Sequence, residues 1–285
     1  MPRLTINVDR EKLAADIREL KSVEPLPTSA LRLVNVCKES DVHSNEVITI
    51  IQSEPAIAAR VLAVANSPLY GYSRRISTIS HAVVILGIRN ISQLALSFAA
   101  RAAFCGSGQS NEFCTKLYRH SLGCGLMAGH LAEVCDVDEP NHAYLSGLLH
   151  DIGKLVFVQL LKDDYVTLAI NTPHEQLVQV EDELFGLNHQ NVGERCAEKW
   201  GFPLDIRKAI GNHHLSDSKS DCGSLMSVVA AANFLSKSRG IGCLPEQYTA
   251  KPLQGNTILS EMNPDELELL ISAARVEYEI LASTR

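Results

Sequence analysis

Apolar residues recur along most of this chain at spacings of three and four positions, which is the period of one face of an α-helix. The stretch DREKLAADIREL, residues 9–20, has this spacing and begins with Asp9, an effective helix N-cap. The stretch NPDELELLISAARVEYEILAS, residues 263–283, has it again, with Asn263 as the expected cap and acidic residues in the first turn. No alternation of apolar and polar residues lasts long enough to indicate a β-strand. The pattern therefore predicts an all-α protein.

The segment CGSGQS, residues 105–110, interrupts the helical pattern and is the best candidate for a linker, because glycine and serine disfavour a continuing helix. It divides the chain into an N-terminal helical lobe at 1–105 and a second lobe at 111–245. The second lobe is predicted to contain helical stretches at 112–135, 139–162, 173–186, 189–200, 203–213 and 224–237. The second of these stretches is expected to break near Gly153. Residues 246–285 are predicted to be a tail with one amphipathic helix, which either packs back on the protein or forms a dimer contact.

The composition excludes several classes of protein. Hydrophobic residues make up 46% and charged residues 21% of the chain, as in globular proteins. No apolar run approaches the ~20 residues that a membrane span needs, and the first residues lack the apolar segment of a signal peptide. We therefore expect a cytoplasmic protein with no membrane partner. The formal net charge of −7 argues against nucleic acid as a partner, because binding to the phosphate backbone needs a basic face.

The eight cysteines show no CxxC spacing. Most of them lie at apolar positions of the helical pattern, so we expect reduced and buried side chains. The alternative is a thiolate metal site that includes Cys124 or Cys135.

The stretch GLLHDIGKLV, residues 147–156, places His150 and Asp151 side by side in an apolar run, with Lys154 three residues later. Two explanations are open: a hydrogen-bonded polar pair in the core, or two ligands of a metal ion. Other predicted helices carry further histidines, namely His120, His189, His213 and His214. Imidazole and carboxylate groups together bind divalent ions, and several helices around one cavity can supply them. The set of histidines, more than any single one, therefore indicates a metal site at one point between these helices.

The remaining histidines are predicted to lie away from this point. His130 is ten positions after His120, near the opposite face of the same helix, and is expected at the surface. Caps and loops are the expected locations of His43, His81, His142 and His174.

Several motifs resemble one protein family. HS at 120, GLLHDIGKL at 147, NHQNVGERCAEKWGFP at 188 and IGNHH at 210 resemble the HD superfamily of metal-dependent phosphohydrolases. LPTSALRLVNV, SEPAIAARVLAVANSPLYG and ISTISHAVVILGIRNISQLAL, all in the N-terminal half, resemble the HDOD family, the HD-related output domain of bacterial signalling. The resemblance runs from about Leu26 to Lys237. It implies two helical lobes, of which the second is a bundle like that of the HD superfamily.

The resemblance also implies a metal site. In active HD enzymes a histidine, the HD pair and a later aspartate hold one ion, and the first three match His120, His150 and Asp151. The aspartate position falls at or near Asn233, whose neutral amide is a poorer ligand for a divalent ion than a carboxylate. The HD-GYP phosphodiesterases of cyclic di-GMP have additional ligands that resemble His189, His213 and His214. This match in order implies that His120, His150, Asp151, His189 and His213 converge on one point. The GYP stretch itself is absent, because the sequence after the paired histidines reads LSDSKSDCG.

Two functions are compatible with these residues. An active site would make the protein a metal-dependent phosphohydrolase or phosphodiesterase, with Asp151 as a catalytic metal ligand and Lys154 neutralising phosphate charge. HDOD proteins are generally regarded as having lost hydrolysis, so the resemblance favours a non-catalytic signalling module that acts through protein contacts. A metal bound without turnover fits the retained histidines best, and iron, manganese, nickel and zinc are all candidates. The sequence does not identify the signalling partner, and a nucleotide ligand and a homodimer both stay open.

A loop in the N-terminal lobe is a candidate for such protein contacts. The stretch NSPLYGYSRRIS, residues 66–77, contains two tyrosines and two arginines, which are residue types enriched at interfaces. The alternative is that Tyr70 and Tyr72 fill the gap between the lobes and the arginines are solvated.

Overall fold

The computed structural model describes residues 9–19, 28–37, 44–72, 74–104, 111–135, 137, 140–214, 224–243 and 256–284. Regular structure within these ranges is helical, with no strand, so the predicted all-α class is confirmed. The first group of helices is α1 (Arg10–Glu19), α2 (Thr28–Cys37), α3 (Ser44–Gln52), α4 (Pro55–Ala65), a 3₁₀ turn (Pro68–Tyr70), α5 (Ile79–Leu86) and α6 (Ile88–Phe104). The later helices are α7 (Asn111–Val134), α8 (Pro140–Leu149), α9 (Ile152–Leu161), α10 (Asp163–Asn171), α11 (His174–Phe185), α12 (His189–Lys199), α13 (Leu204–Gly211), α14 (Leu225–Ser238), α15 (Thr257–Glu261) and α16 (Pro264–Ser283).

Local sequence signals explain where several helices begin. Oδ1 of Asp9 accepts hydrogen bonds from the backbone amides of Glu11 and Lys12, each at 3.1 Å, as expected of an N-cap. Asn263 caps α16 in the same way, at 2.8 Å from the amide of Asp265. Both caps are confirmed predictions, and they satisfy amides that the helix itself leaves without a partner.

The helices form two packed groups around one continuous apolar core. Helices α2 to α6 pack on one another, whereas α8, α14 and α16 pack on the long helix α7. Helix α12 packs on α9 and α13. Buried apolar side chains connect all of them in one cluster that runs from Leu13 to Leu281. The division into lobes at the linker stays a prediction, because residues 105–110 lie outside the described part of the chain.

Two glycines allow the helices that carry the histidines to approach closely. A Cβ atom at Gly147 of α8 would lie 2.7 Å from the carbonyl oxygen of Cys124 in α7. A Cβ atom at Gly153 of α9 would lie 1.9 Å from the carbonyl oxygen of His189, at the start of α12. Any larger residue would therefore push these helices apart. The two contacts fix the position of His150 relative to α7 and of Asp151 relative to His189.

Two details differ from the sequence-based expectations. The break between the helices in 139–162 falls at His150 and Asp151, between α8 and α9, and not at Gly153, which lies inside α9. The helix Asp163–Asn171 was not predicted. Gly153 does not end the helix, because its backbone conformation is helical. The absence of a side chain at this position allows α9 to pack closely on α12.

The C-terminal helix packs back on the protein through its contact with α7. His130 of α7 lies within this contact, with Nε2 at 3.4 Å from Oε2 of Glu277 and only 20% of its side chain exposed. The expectation of a surface position for His130 is therefore wrong, because α16 covers that face of α7.

No single helix among the described residues is long and apolar enough to cross a membrane. Helices α3 and α4 together have the length and composition of a span, but the pair is bent by 114°.

The contact between His130 and Glu277 is expected to make stability depend on pH. Burial lowers the pKa of His130, but the nearby carboxylate of Glu277 outweighs it and raises the pKa above the usual value. A histidine with a raised pKa in the folded state stabilises the protein below its unfolded pKa, and this gain disappears as the pH rises through the folded pKa. Replacing Glu277 with Gln should thus lower the free energy of unfolding by ~0.5–1 kcal/mol at about pH 6 and by clearly less at about pH 9.

Urea unfolding of wild type and Glu277→Gln at the two pH values measures this difference. An equal loss at both would show that the charge of His130 does not contribute.

Candidate functional site

Asp151 lies at the centre of a buried cluster of histidines. It directly precedes α9, where aspartate often caps a helix, yet its side chain makes no capping hydrogen bond. Its carboxylate is turned inward and is 1% exposed. Oδ2 lies 2.8 Å from Nζ of Lys154, 3.3 Å from Nε2 of His150 and 3.9 Å from Nε2 of His120.

The second carboxylate oxygen of Asp151 faces a different set of side chains. Oδ1 lies 3.4 Å from Nε2 of His213 and 3.5 Å from Nε2 of His189, and accepts no hydrogen bond among the described residues. The structure thus brings together the five side chains that were expected to converge. His150 follows α8, Asp151 precedes α9, His189 begins α12, His120 lies within α7 and His213 follows α13.

Backbone carbonyls orient two of the histidines. Nδ1 of His150 donates to the carbonyl of Gly147, and Nδ1 of His213 donates to the carbonyl of Ile210, both at 2.7 Å. Each carbonyl belongs to the residue three positions earlier, at the C-terminal end of the preceding helix. Since Nδ1 carries the proton in this geometry, the lone pair of a neutral ring is on Nε2 and faces Asp151.

A buried carboxylate orients His189. Oε2 of Glu181 accepts from Nδ1 of His189 at 2.6 Å and from its backbone amide at 2.8 Å. Oε1 of Glu181 accepts from the hydroxyl of Tyr165 at 2.6 Å, and Glu181 is fully buried. A carboxylate behind a histidine is the usual support of a metal-binding imidazole, because it fixes the ring and raises its basicity. Sequence reasoning missed Glu181, whose only signal is its position in α11 with the buried residues Leu177 and Phe185.

The ligand atoms form two groups that share Asp151. Each group has all its ligand atoms within 4.8 Å of one another: the first consists of Asp151, His189, His213 and His214, and the second of His120, His150 and Asp151. Buried atoms at the centre have no hydrogen-bond partner among the described residues: Nε2 of His150, Nε2 of His213 and Oδ1 of Asp151. Such atoms cost ~1–3 kcal/mol each unless something satisfies them, and a divalent ion would do so. The residues present therefore fit a metal.

Burial and charge set the protonation of these side chains. Burial lowers the pKa of His213 to about 3 and holds the pKa values of His120 and His214 well below the usual value. Burial also lowers the pKa of His150, but the charge of Asp151 outweighs it and raises the value to about 10. These three histidines are thus neutral, whereas His150 would release a proton before it bound a metal.

The family model of the HDOD domain matches residues 23–216 of this chain. The chain belongs to the HDOD family. A relative from Treponema pallidum, described as an uncharacterized protein, is 26% identical over 245 residues, which are 82% of this chain and 46% of that protein. This chain therefore spans about half the length of the curated relative that it matches.

Solved structures share the fold of this HDOD protein. An HDOD domain protein of unknown function from Geobacter sulfurreducens is 28% identical, with a TM-score of 0.71 and coverage of 97% of this chain and 98% of that one. A candidate phosphohydrolase from Shewanella amazonensis is 20% identical, with a TM-score of 0.71 and coverage of 95% and 97%. At that identity the second likeness shows the fold alone.

Asn233 of this HDOD protein lies where the resemblance places the fourth ligand. Its Oδ1 is 3.1 Å from Nε2 of His120, and the side chain is buried. Because an amide oxygen only accepts, Nε2 of His120 donates in this contact. The predicted roles of Asn233 and of the histidines as metal ligands, and of Asp151 and Lys154 in catalysis, stay predictions.

Two further residues join the site of this HDOD protein. Nζ of Lys237 contacts Nε2 of His174, whose ring centre lies 5.0 Å from that of His214. Lys237 is buried, and burial together with the charge of Lys154 lowers its pKa to about 7. Lys237 lies one helical turn after Asn233, so the spacing in α14 could have identified it. The expectation that His174 lies away from the site is wrong, because the packing of α11 decides its position.

The remaining histidines of the described residues lie outside the two groups of ligand atoms. His142 lies in the first turn of α8, near a cap as expected, but it is buried instead of at the surface, with Nδ1 at 2.6 Å from Oδ2 of Asp205. His81 lies in the first turn of α5, as expected near a cap, and its ring meets that of Tyr72 edge-on. His43 lies outside the described residues. The metal-binding groups that the described residues form include no cysteine, so the thiolate alternative at Cys124 or Cys135 gains no support.

Proposed function

We propose that this HDOD protein is a bacterial signal-transduction module that holds a divalent metal without hydrolytic turnover and acts through contacts with another protein. The observation that carries the proposal is the contact between His120 and Asn233 at 3.1 Å. An active HD site needs a carboxylate at that position, and here a neutral amide takes its place.

The charge balance of the cluster supports a site without turnover. Asp151 is the single carboxylate shared by both groups of ligand atoms, and the ammonium of Lys154 lies 2.8 Å from one of its oxygens. A divalent ion can lower the pKa of bound water and polarise a phosphoryl oxygen. Losing an anionic ligand weakens the hold on the ion and alters the charge that sets the acidity of that water.

The exposed loop of the N-terminal half supports protein contacts as the mode of action. Tyr72 is 42% and Leu69 37% exposed, and Arg74 and Arg75 are also exposed, whereas Tyr70 is half-buried. Tyr72 therefore does not fill a gap between lobes, which was the alternative interpretation for Tyr70 and Tyr72 together. A signalling protein that docks on this loop would meet the exposed aromatic side chain of Tyr72 next to two arginines.

The alternative function is a metal-dependent phosphohydrolase. It is favoured by the four histidines beside Asp151 and by Lys154, which could neutralise phosphate charge. In that case His189 and His213 would supply the metal ligands that the amide of Asn233 does not, in a histidine-rich site that still activates water.

Activity assays separate the two functions. We expect no turnover of cyclic dinucleotides, nucleotides or a generic phosphodiester, with manganese, iron, nickel or zinc added, because the fourth position supplies no negative charge. Metal-dependent turnover that is lost in His150→Ala would replace the proposal with the hydrolase. Asn233→Asp is the reverse test, because it restores a carboxylate beside His120.

A further inference from the structure

The cluster consists of two halves that differ in how far they are prepared for a cation. We call the first the triple-histidine half; it consists of Oδ1 of Asp151 with His189, His213 and His214. We call the second the HD half; it consists of Oδ2 of Asp151 with His120 and His150. The geometry points to one divalent ion per chain, held in the triple-histidine half, while the ammonium of Lys154 and the amide of Asn233 replace an ion in the HD half. This inference rests on the metal-binding part of the proposed function.

The carboxylate oxygen of the HD half is already paired with a cation of this chain, although Nε2 of His150 has no hydrogen-bond partner among the described residues. Nζ of Lys154 donates to Oδ2 of Asp151 at 2.8 Å, and both groups are buried. One lone pair of Oδ2 is thus engaged by an ammonium of this chain. A second cation next to a buried ammonium is also repelled by it.

The histidine of α7 is likewise not prepared to bind an ion through its inward nitrogen. Nε2 of His120 donates to Oδ1 of Asn233 at 3.1 Å, so that nitrogen carries a proton and has no lone pair to offer. The distance from Nε2 of His120 to Oδ2 of Asp151 is 3.9 Å, longer than the contact of His150 with the same oxygen.

The carboxylate oxygen of the triple-histidine half, in contrast, has no ammonium paired with it among the described residues. Oδ1 of Asp151 and Nε2 of His213 are buried and without hydrogen-bond partners among the described residues. The other nitrogens of His213 and His189 donate to Ile210 and Glu181, which turns both Nε2 atoms inward. The buried carboxylate of Glu181 adds negative charge next to this half.

Distances between ligand atoms also fit one ion in this half. Oδ1 of Asp151 is 3.4 Å from Nε2 of His213 and 3.5 Å from Nε2 of His189, and the Nε2 atoms of His189 and His214 are 3.1 Å apart. The last contact is a hydrogen bond in which His214 donates, because Nδ1 of His189 already donates to Glu181, and an ion would displace this proton of His214. Ligands at ~2.0–2.1 Å from a tetrahedral ion lie roughly 3.3 Å from one another. The side chains of this half are therefore spaced as ligands of a single ion.

Metal stoichiometry tests the inference directly. The full chain, stripped with a chelator and dialysed against Co²⁺, should bind one equivalent, and the same experiment with Mn²⁺ should give the electron paramagnetic resonance spectrum of an isolated ion. Two equivalents, or a spectrum of two coupled ions, would overturn the inference. This measurement needs no variant.

Matched histidine variants then locate the ion. His213→Gln and His120→Gln remove one buried imidazole each from the two halves. We expect the affinity for Co²⁺ to fall ~100-fold or more in His213→Gln and to stay unchanged within error in His120→Gln. The reverse order would overturn the inference. Circular dichroism in chelator checks that each variant is folded, and if His213→Gln fails this test, His214→Gln, whose side chain is only half-buried, replaces it.

A gain of metal provides the complementary experiment. The double variant Lys154→Met with Asn233→Asp removes the ammonium and restores a carboxylate in the HD half. We expect it to bind a second equivalent of Co²⁺. A folded double variant that still binds one equivalent would contradict the idea that Lys154 and Asn233 take the place of an ion in the HD half.

Absence of any bound metal in wild type would overturn both this inference and the metal-binding part of the proposed function. Turnover with one bound ion would overturn the proposed function alone.

Discussion

Replacing Asp151 with Asn is expected to lower the free energy of unfolding by ~3–5 kcal/mol when measured in chelator, without any contribution of a bound metal. Asparagine has nearly the same shape, so the loss comes from charge. The ammonium of Lys154 is buried and lies 2.8 Å from Oδ2 of Asp151, and the variant leaves it without a carboxylate. Removing one partner of a buried ion pair costs far more than the pair itself contributes.

A double-mutant cycle checks this reason. Lys154→Met removes the ammonium, so the variant with both changes should recover most of the stability that Asp151→Asn loses. The exposed pair Lys116 and Glu112 provides a matched control, because its atoms are also 2.8 Å apart but both side chains are largely solvated. Glu112→Gln should leave the midpoint of urea unfolding unchanged within error. A mild effect of Asp151→Asn, similar to that control, would mean that water reaches Lys154.

Replacing Gly153 with Ala is expected to lower the free energy of unfolding by ~3 kcal/mol or more and to displace His189 from the cluster. The new Cβ atom would lie 1.9 Å from the carbonyl oxygen of His189, which is backbone and cannot rotate away. Helices α9 and α12 would have to separate, and the separation would move His189 relative to Asp151. Affinity for Co²⁺ should therefore fall together with stability.

Gly129 is the matched control, since it also lies in a buried helix. A Cβ atom there would lie 3.7 Å from the nearest atoms, in the side chain of Tyr144, which is an ordinary contact. Gly129→Ala should therefore leave the protein as stable as wild type or stabilise it by ~0.5–1 kcal/mol, because alanine favours a helix. Urea unfolding and Co²⁺ titration of both variants measure the contrast. A Gly153→Ala protein as stable as Gly129→Ala would contradict the close contact of α9 with α12.

These two predictions have a common physical basis. The charged cluster lies inside the apolar core and not in an open cleft, so the same side chains that would bind an ion also determine stability. His150 and His189 are fully buried, and Asp151 is nearly so. A low dielectric around them strengthens each interaction and makes each unpaired group costly. A metal bound here would thus link the stability of this half of the protein to its metal content.

The apolar spacing of the sequence was sufficient to predict the all-α class and most of the later helices, although not Asp163–Asn171, because helical periodicity and capping are local properties. Asp9 and Asn263 could be identified as caps from residues within one turn, and both caps are confirmed. The position of the break between α8 and α9 could not, because the glycine that suggested a break at 153 serves a contact with α12. A contact between helices leaves no periodic signal within either helix.

The motifs around His120, His150, Asp151, His189 and His213 were sufficient to predict that these side chains converge, because the order of these motifs resembles that of one family. Tertiary structure alone decided how they meet. It places the two oxygens of Asp151 against different histidines, brings Glu181 behind His189, and adds Lys237 and His174, which are 63 positions apart in the chain. Residues that far apart become neighbours only through the packing of α11 on the rest of the bundle. Sequence therefore determined which chemical groups are present, whereas packing determined which of them face one another, and on that depends which half of the cluster can hold an ion.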